Sequence, residues 1–87
     1  MSSRFAGLRA QIAANDRRLV ELVNERLRLV EELWQLKAEL GVDRIDSDRE
    51  RALRNELAAA NEGPLSPQGL DRLVALLLDL TKRELSD

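Results

Sequence analysis

No proline interrupts the chain between Arg4 and Leu40, and Gly41 stands where a helix C-cap would fall. Within that stretch Leu8, Ile12, Leu19, Val23, Val30, Leu33 and Leu40 recur at steps of three, four and seven. That is the spacing of one face of an α-helix. At ~1.5 Å per residue the helix would be on the order of 50 Å long. A compact chain of 87 residues has a diameter of only roughly 25 Å. The remainder of the chain is too short to cover an apolar stripe of that length. A second copy is the natural cover, so an intertwined helical homodimer is expected.

Two shorter helices follow, and no strand pattern competes with them. The linker reads Gly41-Val42-Asp43-Arg44-Ile45, and the second helix runs from about Asp46 to about Asn61. Ser47-Asp48-Arg49-Glu50 matches a capping box, with Ser47 as N-cap and Glu50 reaching back. Asn61-Glu62-Gly63-Pro64 stops it. Ser66-Pro67 opens the third helix as N-cap and first helical residue. Leucine and valine ring much of that helix between Leu73 and Leu80, which marks it as the most buried element. The fold class is therefore all-α, with one long, one short and one medium helix forming a single domain over residues 1–87.

Composition narrows the chemistry. There is no cysteine and no histidine, so thiolate nucleophiles, disulfides, the commonest general base and the commonest zinc ligand are all absent. No metal or cofactor is expected. Net charge is -2, with 34% charged residues of both signs, so a bulk basic field for nucleic acid is missing. Aromatic content is 2%, from Phe5 and Trp34, which leaves no platform for base stacking. Apolar runs are short and broken by charge, which argues against a membrane span, and Met1 to Gly7 does not resemble a signal peptide. A cytoplasmic protein is expected.

Two cations interrupt the apolar stripe of the long helix. Arg26 and Lys37 are eleven residues apart, close to three whole turns, so they point the same way, roughly 16 Å apart. A cation on a core-facing stripe is costly unless paired. An anionic ligand between them is one reading. The other is a set of ion pairs, with Arg26 held by Glu21, Glu25 or a partner-chain acid and Lys37 reaching water. Arg49 adds a cation in the first turn of the second helix. Arg9 lies seventeen residues before Arg26, about a quarter turn away and roughly 25 Å off. It cannot share a small ligand with Arg26 of its own chain, but in an antiparallel dimer it can approach Arg26 of the other.

The combination Leu8-Arg9, Ile12, Asp16, Leu19, Leu22-Val23, Glu25-Arg26, Lys37 and Asp46-Ser47-Asp48-Arg49-Glu50 resembles the all-α chorismate mutase family. The likeness extends over nearly the whole chain, and it is the joint spacing, more than any single motif, that is specific. It implies a homodimer with two equivalent sites and chorismate as substrate. By position, Arg26 would bind a substrate carboxylate, and Lys37 would donate to the ether oxygen and a carboxylate. Asp46 and Glu50 would hold the substrate hydroxyl, and Arg49 would order the cationic cluster. Arg9 would cross from the other subunit to the second carboxylate, and Thr81 would sit near a carboxylate.

Two positions depart from the family pattern. Where relatives carry Gln or Glu four residues after the Ser or Thr, this chain has Leu85, which has no hydrogen bond to donate. Glu84 beside it would substitute after a small helix rotation, or Lys37 alone would serve the ether oxygen. Trp34 stands where many relatives have a small residue. It is expected to fill core space, with narrowing of the pocket or contact with another protein as alternatives. Some short relatives with an incomplete last helix are weak alone and are activated by the first shikimate-pathway enzyme, DAHP synthase. The resemblance extends that partner to this chain.

The implied reaction suits a chain without histidine, cysteine or metal ligands. Chorismate rearranges to prephenate in one concerted step that removes no proton. It needs the enolpyruvyl side chain held over the ring. It also needs a donor where negative charge grows on the bridging oxygen. On the same scaffold an isochorismate-pyruvate lyase or an aminodeoxychorismate mutase is a rival. A non-catalytic helical dimerisation or regulatory module is a rival of another class.

Overall fold

The computed structural model describes residues 3–86; Met1, Ser2 and Asp87, the ends of the expected domain, lie outside the described residues. Three helices follow one another: α1 (Ser3–Leu40), α2 (Ser47–Ala60) and α3 (Pro67–Leu85). Among the described residues there is no strand. No helix among them is long and apolar enough to cross a membrane.

Local chemistry sets each boundary. Gly41 takes φ +69°, a left-handed conformation open to glycine without steric cost. The Gly41 amide donates to the Ala38 carbonyl at 3.2 Å and the Val42 amide to the Lys37 carbonyl at 2.8 Å, closing α1 as a Schellman motif. The N-cap of α2 differs from the sequence expectation. Asp46, in extended conformation at φ -132° and ψ 101°, caps the helix, and Ser47 is already helical. The Asp46 Oδ1 accepts from the Arg49 amide at 3.1 Å. With the cap one residue earlier, Glu50 falls a residue too late to close a capping box. Its carboxylate instead pairs with Lys82 at 3.3 Å. Asn61 ends α2, accepting from the Gly63 amide at 3.1 Å and donating to the Leu65 carbonyl at 2.9 Å. Ser66 caps α3 through the Gly69 amide at 2.9 Å, with Pro67 in the first turn.

Helix α3 packs against both α1 and α2 and supplies what interior the chain has. Among the described residues only Leu70, Val74 and Thr81 are buried. The C-terminal half of α1 is half-covered along Val23, Arg26, Leu27, Val30, Trp34 and Lys37. Its N-terminal half has no apolar cover among the described residues: Phe5, Leu8, Ile12, Leu19, Val20 and Leu22 are all exposed. The chain measures 60 × 25 × 17 Å, with a radius of gyration of 16.7 Å. A compact domain of this length would have a radius of gyration of about 12 Å. The difference is the bare arm of α1.

Candidate active site

The C-terminal half of α1, the loop before α2, the first turns of α2 and the end of α3 line an open-sided cavity of about 320 Å³. Val30, Leu33, Leu53 and Leu78 give it an apolar wall. Arg26, Lys37, Arg44, Arg49 and Lys82 bring five cations to it, against the two carboxylates of Asp46 and Glu50. The cavity is therefore a largely apolar recess with an excess of positive charge around it. In such surroundings a charge interaction is worth more than in bulk water.

Each cation is held by its own element. Arg26 projects from the middle of α1, and its Nη1 donates to Thr81 Oγ1 at 2.7 Å. The Thr81 hydroxyl in turn donates to the Leu77 carbonyl at 2.7 Å, so both roles of that buried oxygen are taken. The result is a guanidinium fixed across the α1–α3 contact. Lys37, one turn before the end of α1, donates from Nζ to the Arg44 carbonyl at 3.2 Å. An ammonium carries three donors, and the loop carbonyl takes one. The Arg44 guanidinium lies over the Trp34 ring, 5.1 Å from its centroid, which pins the loop to α1. Arg49 and Glu50 enter from the first turn of α2, whose cap, Asp46, already uses one oxygen on the helix amide.

Of the residues singled out in the sequence, Arg26, Lys37, Asp46, Arg49, Glu50 and Thr81 line this one cavity. Glu84 does not. It is exposed, and helix geometry turns it about 110° from the direction that Leu78, Thr81 and Lys82 share. Leu85 does lie on that face, but a turn further along, where it lines a neighbouring recess with Glu31, Trp34 and Arg44. Arg9 lies on the bare arm of α1, its guanidinium 4.6 Å from the centroid of Phe5 and outside the cavity of its own chain. Trp34 is half-buried and walls the cavity as well as packing. Sequence reasoning missed Arg44 and Lys82. The available signal for Lys82 was its position four residues after Leu78 and next to Thr81, a spacing shared by many surface lysines.

Residues 8–84 match the family model described as chorismate mutase type II. Among solved structures, form II of the chorismate mutase from Thermus thermophilus is similar with a TM-score of 0.89 at 30% identity, covering 98% of this chain and 99% of that one. Form I of the same enzyme gives a TM-score of 0.86 at 30% identity, covering 91% of this chain and 99% of that one. No curated protein matches the chain by sequence.

Proposed function

The chain belongs to the chorismate mutase type II family, and from that premise we propose that its electropositive recess is the site where chorismate is bound and rearranged. The function is the family's: isomerisation of chorismate to prephenate, on the route to phenylalanine and tyrosine. The observation that carries the site assignment is the convergence of five cations and two carboxylates on one cavity of about 320 Å³. A small dianion with a hydroxyl is the ligand that such a set of groups satisfies.

The chemistry follows from the donors present. Arg26, already oriented by Thr81, offers the rest of its guanidinium to a carboxylate, a planar match that a lysine does not make. Holding the carboxylates folds the enolpyruvyl arm over the ring and removes orientational freedom before the reaction. In the reaction itself one C–O bond breaks as one C–C bond forms, in a single ring of electrons, and no proton leaves. Negative charge grows on the bridging oxygen as its bond stretches. Lys37, held by the loop carbonyl, donates there and stabilises the transition state more than the bound substrate. Asp46 and Glu50 take the hydroxyl, and Arg49 balances their charge.

The site is completed by a second chain. A compact protein of 87 residues exposes about 5,200 Å², and this chain exposes 7410 Å². The excess of about 2,200 Å² is of the size that a permanent dimer buries. Antiparallel pairing of two α1 helices covers the bare stripe and carries Arg9 to the partner's recess, where it meets the second carboxylate. Activation by DAHP synthase in the cytoplasm belongs to the same reading. Its support is that the loop setting Lys37 is exposed along its length and so is open to being stiffened by a partner.

A bicyclic dianion that mimics the folded transition state tests the site. Ligand at a hundredfold over its Kd adds about 2.7 kcal/mol to stability. For a domain of this size that raises Tm by roughly 10 °C or more. The expected result in a thermal melt is such a shift, absent with the matching monoanion. No shift at millimolar ligand, or an equal shift from the monoanion, would remove the case for a dianion site.

A further inference from the structure

We propose that Lys82 is a further substrate-contacting cation, which approaches from α3 the bridging oxygen that Lys37 approaches from α1. The inference rests on the site reading above and adds a donor to it. Three observations lead to it. First, the end of α3 brings only a few groups to the cavity: Leu78, Thr81 and Lys82. Leu78 has no donor, and the Thr81 hydroxyl is committed to the Leu77 carbonyl. Lys82 is thus the group through which α3 can donate to a ligand. Second, the next residues of α3 bring no donor to this cavity. Glu84 is exposed, and Leu85 lines the recess behind Trp34.

Third, Lys82 is held in position. Its Nζ lies 3.3 Å from Glu50 Oε1, with side-chain exposures of 45% and 29%. A pair so open to solvent contributes little to stability. It does fix an ammonium at the cavity wall beside a carboxylate that, on the site reading, takes the substrate hydroxyl. Glu50 occupies one of the three Lys82 donors, and the others are available to a ligand. When the C–O bond breaks, the bridging oxygen gains charge and the electrons pass into the new carbonyl and C–C bond. Lys82 keeps its proton throughout and contributes a hydrogen bond from a group already in place.

Steady-state kinetics on the full chain tests this, with Lys82→Met, Lys82→Gln, Lys37→Ala and the exposed neighbour Arg83→Met assayed together. Lys82→Met is expected to lower kcat by on the order of tenfold to a hundredfold, less than loss of a sole donor because Lys37 remains. KM should move by no more than about threefold, as for an interaction made in the transition state. Lys82→Gln, a neutral donor, should recover part of the loss, and Arg83→Met should match the wild type. Wild-type kcat in Lys82→Met overturns the proposal. So do equal losses in Met and Gln variants that follow Tm, the mark of a mere tether between helices. If Lys82→Met does not fold, Lys82→Gln decides alone: a several-fold lower kcat at unchanged KM supports the proposal, and an unchanged kcat overturns it. A normal Lys82→Met beside an inactive Lys37→Ala leaves the site reading standing. A wild-type chain that does not convert chorismate overturns both.

Discussion

Lys37→Ala is expected to lower kcat at least a hundredfold while leaving helicity unchanged. Lys37 is a half-buried residue near the end of α1, lines the cavity, and has one ammonium donor on the Arg44 carbonyl. On the proposed site, removing it deletes a positive charge from the place where the reaction would create a negative one. One such preorganised donor is worth about 3 kcal/mol, or 10²–10³ in rate. The fold does not depend on it. The Schellman closure of α1 uses the backbone carbonyl of residue 37 and survives truncation of the side chain. Circular dichroism and Tm should therefore stay close to wild type while turnover collapses. Turnover within a few-fold of wild type would show that Lys37 is not the principal donor to the bridging oxygen.

Arg9→Ala and Arg26→Ala should each be close to inactive alone and regain activity when mixed. Arg26 lines its own chain's cavity, whereas Arg9 lies on the uncovered arm of α1. If Arg9 serves the partner's site, a heterodimer of the two variants has one site lacking both arginines and one site lacking neither. Random exchange of equal amounts makes half of the dimers mixed, each with one intact site of two. The mixture should then reach about a quarter of wild-type activity. Unfolding and refolding the two together allows the exchange. A fully exchanged mixture no more active than its components would rule out a shared site.

The features legible in the sequence were those set by local chemistry. The length of α1 follows from an unbroken helical period and Gly41, and the start of α3 from Ser66-Pro67. The grouping of Arg26 and Lys37 followed from spacing on one helix, and Asp46, Arg49 and Glu50 from the family likeness. The errors came where two residues compete or where distant elements meet. Asp46 and Ser47 are comparable N-caps, and the extended backbone at Asp46 decides between them. That choice releases Glu50 toward Lys82. Lys82 and Arg44 read as ordinary surface cations until α3 and the loop are set against α1. Glu84, a stand-in for Leu85 only after a small helix rotation, is exposed and does not line the cavity in the present facing of α3.

The most direct test is to incubate the purified chain with chorismate and follow the products by proton NMR. Prephenate should form as the only product, faster than in buffer alone, and faster still when DAHP synthase is present. Conversion no faster than buffer under either condition, or release of pyruvate, would contradict the account.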